Sequence, residues 1–170
     1  MAGKTKRKAY HHGDLREALI AAGTDIIESD GLSAFTLREC ARRAGVSHAA
    51  PRNHFESIDD LIAEIAARGF EAFHAQLDAA ARAVAASPDE RLCAMGRAYV
   101  AFALARPGVY GLMFRMGHAA KPTAHLDQAA RAAWEQLVQA VQATIGSSRA
   151  DLQASAAFVS PVAAWSRATA

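Results

Sequence analysis

The sequence predicts an all-α protein with a helix-turn-helix head that a long helix joins to a C-terminal helical body. Alanine is abundant, while the 170 residues include only 11 glycines and 5 prolines, a composition that favours helices over strands. Residues 36–55 show the pattern of two short helices and a tight turn, and apolar residues recur every three or four positions elsewhere. We therefore divide the chain into an arm (1–9), a head (10–56) and a body (57–170).

The first predicted helix begins at Asp14, which can cap it, and ends at Gly31. Its apolar residues recur with helical period and are expected to face inward, namely Leu15, Leu19, Ala22, Gly23, Ile26 and Ile27. Charged residues between them are expected to face mostly water, namely Arg16, Glu17, Asp25 and Glu28. This helix should pack across the two short helices that follow it.

A capping pattern predicts the second helix. Thr36 is followed three positions later by Glu39, so its hydroxyl can accept from the Glu39 amide while the Glu39 carboxylate reaches back. Gly45 is the residue type that most easily adopts the left-handed conformation that ends a helix. The helix is therefore expected from Leu37 to about Ala44.

A third short helix is predicted after the turn. Ser47 is a good N-cap, and Pro51 fits a first helical turn, where its missing N–H has no intrahelical partner. We expect roughly two turns of helix beginning near His48. Two such helices joined by a short turn containing Gly form a helix-turn-helix, whose second helix can enter the DNA major groove. An ordinary helical hairpin fits the same spacing.

Several ordered motifs resemble the DNA-binding domain of the TetR family of transcriptional regulators. They span about residues 10–70 and are Tyr10-His11-His12-Gly13-Asp14-Leu15, Gly31-Leu32, Thr36-Leu37-Arg38-Glu39, Ala41-Arg42-Arg43-Ala44-Gly45-Val46-Ser47 and His54-Phe55. A shorter stretch, Arg106-Pro107-Gly108 with Tyr110-Gly111-Leu112-Met113-Phe114, resembles the ligand-domain segment of a TetR subgroup. The resemblance implies an all-helical, dimeric, ligand-responsive repressor whose operator is an inverted repeat of double-stranded DNA.

The residues expected to reach DNA lie in and beside the helix-turn-helix, and they are Thr36, Arg38, Ser47, His48, Ala49, Ala50, Arg52 and His54. Ser47 is expected to contact phosphate and His48 a base edge, while the methyl groups of Ala49 and Ala50 can meet a thymine methyl. The family usually has tyrosine where this chain has Arg52, which can bind phosphate or guanine. Two other arginines are expected on a solvated helix face, namely Arg42 and Arg43.

The first nine residues carry four cations and no acid, although the formal net charge of the whole chain is only +2. A basic arm beside a helix-turn-helix can follow DNA phosphates or the minor groove and add salt-dependent affinity. Lys6, Arg7 and Lys8 are therefore candidate DNA contacts. A solvated tail that keeps the protein soluble is the alternative interpretation.

The body is predicted to contain three long helices. The first begins at Ser57 or Asp59 and runs past Gly69, a possible bend, with an apolar stripe of Ile58, Leu61, Ile62, Ile65, Phe70, Phe73 and Leu77. The second begins near Glu90 and ends before the Pro-Gly pair at 107 and 108. The third spans Asp127 to Ile145. The first of these helices can act as a lever between head and body.

The segment 109–116 has the highest density of aromatic and methionine residues in the chain. Such adaptable side chains can line an apolar ligand cavity, in which tyrosine hydroxyls fix the orientation of the ligand. The candidate contacts for a small apolar effector are Tyr99, Phe102, Tyr110, Met113, Phe114 and Trp134. Plain core packing is the alternative interpretation.

The resemblance places the homodimer interface on the last two helices of each subunit. On the first of them, the contact is expected to rest mainly on Trp134, Leu137, Val138 and Val141. The second would start near Ser148 and include Leu152, Ala156 and Phe158, but Pro161 interrupts its pattern. We therefore expect a smaller and weaker dimer than is usual for the family.

The sequence contains no pattern typical of an enzyme. It has neither a His-x-x-x-His pair, a Gly-rich phosphate loop nor a Gly-x-Ser-x-Gly turn, so we expect no catalysis, no metal and no cofactor. The two cysteines, Cys40 and Cys93, lie in apolar helical patterns and are expected to be small core residues in a reducing compartment. No apolar run approaches the ~20 residues of a membrane span. These features predict a cytoplasmic protein.

A helical protein-interaction module without DNA binding is the main alternative function. Retention of random DNA duplex at low but not at high salt distinguishes a DNA-binding protein from such a module.

Overall fold

The computed structural model describes residues 12–84, 87–115 and 123–145, with side chains from Leu15 onward except that of Arg115. These residues form α1 (His12–Ser29), α2 (Leu37–Arg43), α3 (Ile58–Arg82), α4 (Pro88–Ala105), α5 (Pro107–Arg115) and α6 (Ala124–Ile145), with short 3-10 helices at Leu32–Ala34 and Ala50–Asn53. The described ranges contain no strand, and the predicted all-α fold is confirmed. No helix in them is both long and apolar enough to cross a membrane.

Side-chain caps start α2 and α3 where the sequence predicts them, whereas α1, α4 and α6 begin two or three residues earlier than predicted. The Thr36 hydroxyl accepts from the Glu39 amide at 3.1 Å and begins α2. Ser57 begins α3 through a reciprocal capping box with Asp60. One detail of the prediction is wrong, because the Glu39 carboxylate binds arginine side chains of its own helix instead of reaching back to Thr36.

The helix α3 is the central element of the molecule. It packs against α4 and α6, and also contacts α1 and α5. Its predicted apolar stripe is buried except for half-buried Ile58. Gly69 serves close packing, because a Cβ atom there would lie 2.7 Å from Val109 Cγ1 and 2.9 Å from Met113 Sδ. The glycine thus lets α5 approach the α3 backbone.

A single hydrophobic core runs through the predicted head and body. Leu19 and Ile26 of α1 are fully buried and belong to the same cluster as Phe73 of α3 and Phe102 of α4. Phe55, which follows the second 3-10 helix, also belongs to this cluster. The apolar contacts are therefore continuous from α1 to the far helices.

Four ranges lie outside the described residues, namely 1–11, 85–86, 116–122 and 146–170. The predicted DNA contacts of the arm fall there, namely Lys6, Arg7 and Lys8. The predicted last helix with Pro161 falls there too.

Candidate nucleic-acid interface and effector cluster

The turn of the helix-turn-helix is closed by a pair of backbone hydrogen bonds. Gly45 has the left-handed φ of 68°, its amide donates to the Arg42 carbonyl at 3.2 Å, and the Val46 amide donates to the Ala41 carbonyl at 3.0 Å. These two bonds are the Schellman arrangement that ends a helix at a glycine. The chain therefore reverses direction directly after α2, as the sequence predicts.

The second arm of the helix-turn-helix differs from the prediction. Instead of two α-helical turns beginning near His48, the chain forms a turn and then a 3-10 helix over Ala50–Asn53. The Ser47 carbonyl accepts from the Ala50 amide at 3.0 Å, but the Ser47 hydroxyl does not cap the helix. Pro51 is fully buried, and its carbonyl accepts from the amides of His54 and Phe55. Pro51 and Phe55 are thus core anchors that hold the segment in its short form.

Most predicted DNA contacts are exposed on this motif. Six of them are accessible, namely Thr36, Arg38, Ser47, His48, Ala49 and Arg52, while Ala50 and His54 are half-buried. Arg38 and Arg52 form no ion pair with any residue of the described ranges. The Thr36 hydroxyl accepts from the Glu39 amide as the cap of α2, and because Thr36 is exposed, its proton and second lone pair are accessible to a ligand. The motif therefore presents two unneutralised guanidinium groups beside a run of small polar and apolar residues.

Arg42 and Arg43 behave differently, because acidic residues neutralise both. Arg42 binds both Glu39 carboxylate oxygens at 2.6 and 2.7 Å, and Arg43 binds Glu39 at 3.0 Å and also Asp30. Hydrogen bonds from Arg42 and then Arg43 lower the pKa of Glu39 to about 2. The expectation of a merely solvated face is wrong for Arg43, which is half-buried and ties α2 to the end of α1.

An ion-pair network joins the head to α3. The Arg16 guanidinium carbon lies 5.2 Å from the centre of the Phe55 ring, and Arg16 Nη2 lies 3.0 Å from Glu64 Oε2. Arg68 binds Glu64 at 3.0 Å and also pairs with Glu17. Arg16 and Glu17 were expected to face mostly water. This expectation is wrong for Arg16, which is half-buried and pairs with Glu64, whereas Glu17 is exposed as expected even though it pairs with Arg68. The network fixes the position of Phe55, which anchors the second arm of the motif.

The candidate effector residues form an aromatic cluster around α3, α4 and α5. The hydroxyl groups of Tyr99 and Tyr110 lie 2.7 Å apart, and the Phe73 ring makes edge contacts with Tyr99, Phe102 and Phe114. Burial, and then the bond to Tyr110, raise the pKa of Tyr99. The cluster is therefore apolar, with one pair of neutral hydroxyl groups inside it.

The six candidates differ in how far they are available to a ligand. Phe102 and Met113 are buried in the core, while Tyr99, Tyr110 and Phe114 are half-buried. Trp134 is half-buried on α6 and makes no ring contact with the cluster among the described residues. The structure thus brings five of the six together and leaves Trp134 apart.

Two residues connect distant elements. Glu28 was expected to face mostly water, which is wrong because it is half-buried and its carboxylate is bound, and no role was predicted for His125. The Glu28 carboxylate of α1 accepts from the amides of Gly108 and Val109 at the start of α5, both at 2.9 Å. His125 at the start of α6 contacts Glu64 at 3.1 Å and Glu71 at 2.8 Å, both on α3. The Pro-Gly pair at 107 and 108 predicted only the end of the preceding helix, and no sequence pattern indicates partners this far along the chain.

Comparisons with known proteins agree with this architecture. The sequence matches the family "Bacterial regulatory proteins, tetR family" over residues 19–65 and "Tetracyclin repressor-like, C-terminal domain" over residues 92–168. A protein of unknown function from Rhodococcus sp. RHA1 has 36% identity and a TM-score of 0.71, covering 80% of this chain and 70% of that one. No curated protein matches the sequence at a significant level.

A second solved structure shows the same fold at lower identity. The TetR family transcriptional regulator PfmR from Thermus thermophilus has 18% identity and a TM-score of 0.61, covering 75% of this chain and 70% of that one.

The fold and the exposed helix-turn-helix define a class, the helical DNA-binding transcriptional regulators. Within that class, the two matched family domains decide the family. The chain belongs to the TetR family of transcriptional regulators.

Proposed function

We propose that this protein is a ligand-responsive repressor that binds an inverted-repeat operator as a homodimer. The observation that carries the proposal is the contrast among the arginines of the helix-turn-helix. Arg42 and Arg43 are neutralised within the protein, whereas Arg38 and Arg52 are exposed and form no ion pair with a described residue. Free guanidinium groups on a helix-turn-helix are suited to phosphate and guanine contacts.

Each exposed residue has a role in this proposal. Arg38, near the start of α2, contacts phosphate together with Thr36, since the free amide groups of a helix N-terminus favour anions. His48 and Ala49 face base edges, and Arg52 contacts guanine or the adjoining phosphate. The basic residues of the arm contribute affinity that depends on salt and not on sequence.

Selection of duplexes from a random pool tests sequence recognition. We expect enrichment of an inverted repeat whose half-sites are about one helical turn apart, roughly 34–36 Å. The Arg38→Ala variant should bind the selected duplex more weakly, with a salt slope smaller by about 1. Arg97→Ala is the matched control, because Arg97 is exposed on α4 outside the motif. If folded protein enriches no sequence, recognition of a specific operator is disproved.

The homodimer follows from symmetry, since a two-fold operator requires a two-fold protein. Trp134, Leu137 and Val141 are half-buried on α6 and support the proposed interface, although Leu137 also packs against the core of its own chain. Val138 was expected to share that role, but it is only 7% exposed and packs inside its own chain. Sedimentation over a range of concentrations tests the dimer, and a monomer at tens of micromolar would contradict it.

The aromatic cluster supports an apolar effector. Of two hydroxyl groups that bond each other, only one donates, so the pair in Tyr99 and Tyr110 leaves one O–H proton for an acceptor on a ligand. A ligand that prefers one arrangement of the body weakens DNA binding through its differential affinity for the two states. Thermal-shift screening of apolar carbonyl compounds tests this, with Tyr110→Phe as the variant that removes the hydroxyl pair. Equal shifts for Tyr110→Phe and the wild type would rule out the hydroxyl pair as the polar contact.

A further inference from the structure

The N-terminus of α5 is capped by a carboxylate that is eighty residues away in sequence. Glu28 Oε2 accepts from the Gly108 amide and Glu28 Oε1 from the Val109 amide, each at 2.9 Å. A helix begins with amide groups that have no partner within the helix, and an acidic group there also interacts favourably with the helix dipole. A two-oxygen contact of this kind fixes the direction of the helix as well as its position.

The other amide groups at this end of α5 are already accounted for. The Arg106 amide donates to the Phe102 carbonyl of α4 at 2.9 Å, Pro107 has no N–H, and the Tyr110 amide donates to the Arg106 carbonyl at 2.8 Å. Glu28 therefore supplies both acceptors that the first turn of α5 lacks. Without it, the amides of Gly108 and Val109 would need water or another partner.

The contact between α1 and α5 is also a close one. A Cβ atom at position 108 would lie 2.4 Å from the Ile27 carbonyl oxygen and 2.9 Å from the Glu28 Cα atom. Only glycine fits at that distance, so the backbone of α5 rests directly on the last turn of α1. A contact between two backbones has little freedom to absorb a displacement.

The same helix carries the candidate effector residues. Tyr110, whose hydroxyl is hydrogen-bonded to that of Tyr99, directly follows the capped residues Gly108 and Val109. Met113 lies against Gly69 of α3. At its other side, α1 contacts α2 and α3. The helix α5 thus carries part of the aromatic cluster and also contacts α1, the helix that supports the DNA-reading motif.

We propose that Glu28 is the positioning residue through which a displacement of α5 reaches the helix-turn-helix. This inference rests on the proposed function and adds the residue that transmits the response. Both hydrogen bonds depend on the axis of α5, so a ligand that moves this helix must move α1 with it or break the cap. Each position of α5 then corresponds to one position of the head. A ligand that favours one position of α5 therefore favours one position of the head, as allosteric coupling requires.

The variants Glu28→Ala and Glu28→Gln test the link, and hydrogen exchange of the amides in 107–115 reports on α5. Asp25→Ala is the control, since it removes an exposed carboxylate from the same helix. In the wild type and in Asp25→Ala, the selected duplex should slow exchange of these amides. In Glu28→Ala, exchange should be about tenfold faster and insensitive to duplex, while duplex affinity changes little. Glu28→Gln keeps one acceptor oxygen, so its exchange rate should lie between those of the wild type and Glu28→Ala. This variant replaces Glu28→Ala in the test if the alanine variant does not fold.

Duplex-dependent protection of α5 that persists in both Glu28 variants would overturn the inference, as would a wild type in which bound duplex leaves α5 unchanged. Failure of the proposed function is a different result, in which no duplex binds any variant. In that case, native-state hydrogen exchange measured at rising urea concentrations tests whether Glu28 links the two helices. The amides of α1 and α5 should open together in the wild type and separately in Glu28→Ala. Joint opening in both proteins would then overturn the link.

Discussion

At the scale of single residues, two glycines are required for different physical reasons. Gly45 has a left-handed φ of 68°, and nothing lies within 4 Å of where a Cβ atom would be. Gly69 lies in a helix, where alanine is intrinsically better, but its added methyl would meet Val109 and Met113. The first position is restricted by conformation and the second by space.

The corresponding substitutions should therefore respond differently. Gly45→Ala should destabilise the protein by about 1–2 kcal/mol, the cost of the left-handed conformation, and Gly45→Asn by less because asparagine adopts it more readily. Gly69→Ala should cost about 1–3 kcal/mol through overpacking. Urea unfolding measures all three variants. A neutral Gly45→Ala, or a stabilised Gly69→Ala, would contradict these assignments.

The two free arginines of the helix-turn-helix are also expected to differ from each other. Arg38→Ala should weaken binding to all duplexes alike, because a phosphate contact carries no base information. Arg52→Ala should relax selection at one base pair of each half-site, at a cost of about 1–3 kcal/mol, if it reads guanine. Affinity for the selected duplex and for single-base variants separates the two effects. Uniform weakening by Arg52→Ala would assign Arg52 to phosphate.

Residue-level reasoning succeeded where the information is local. Thr36 capping α2 and Gly45 ending it follow from a few neighbouring residues, so the sequence alone predicts them. The partners of Glu28 and His125 lie 80 and 61 residues away, and nothing near either residue indicates them. Charged residues on a helix look solvated until the packing of the helices is known.

At the scale of the elements, the second arm of the helix-turn-helix shows why local signals were insufficient. Ser47 and Pro51 are good helix-start residues, and they predicted an α-helix near His48. In the structure, Pro51 and Phe55 are buried only four positions apart, and the 3-10 helix that contains Pro51 ends at Asn53. Packing of Pro51 and Phe55 in the core therefore favours a 3-10 helix over the predicted α-helix in this segment.

The start of α6 is tied to α3 by a histidine that contacts two carboxylates. Neutral imidazole has one N–H and can donate to only one of them, whereas imidazolium donates to both Glu64 and Glu71. Hydrogen bonds to Glu71 and Glu64 accordingly raise the pKa of His125. Burial acts to raise the pKa of Glu64, but bonds from Arg16, Arg68 and His125 outweigh it and lower that pKa to about 2.

This arrangement predicts a pH-dependent contribution to stability. Because the folded pKa of His125 is raised, the contribution is complete below the unfolded value of about 6.5 and is lost as pH rises through the folded pKa. The wild type should therefore exceed His125→Gln in unfolding free energy at pH 5.5, and the difference should shrink at pH 8.5. Urea unfolding at the two pH values measures it, with exposed His48→Gln as control. A difference that does not change with pH would show that His125 acts only through packing.

At the scale of the whole molecule, charge is concentrated at the N-terminus. Residues 1–9 hold four of the 19 lysines and arginines and none of the 17 acidic residues. The rest of the chain therefore offers little general attraction for DNA beyond the helix-turn-helix itself.

Deletion of residues 1–9 should therefore weaken binding without changing the preferred sequence. If all four cations contact phosphate, the slope of log affinity against log salt should fall by about 3–4. Titrations of the selected duplex at several salt concentrations measure the slope, and a second selection compares the preferred sequence. An unchanged slope would show that the arm is only a solvated tail.

The overall architecture was predictable because it depends on patterns that repeat along the chain. The apolar stripe of α3 and the caps at Ser57 and Ser87 specify long helices without knowledge of their partners. The packing of α1 on α5, by contrast, depends on Gly108 meeting the Ile27 carbonyl, a contact that no periodicity encodes. The exposure of Trp134 and Val138, which decides whether they can contact a ligand or a second subunit, likewise depends on how α6 packs on its neighbours.

The two cysteines have opposite environments, and this gives the protein a natural attachment point for a probe. Cys40 is buried in the core, and burial raises its pKa to about 11, so it remains an unreactive thiol in the folded protein. Cys93 is exposed on α4, so the expectation that both cysteines are core residues is wrong for Cys93. A maleimide or nitroxide reagent should therefore add one label per native chain and two after unfolding, as read by intact mass. In the proposed homodimer, electron-spin distances between the labelled Cys93 residues would then measure the separation of the two bodies, with and without DNA, and no engineered substitution is needed.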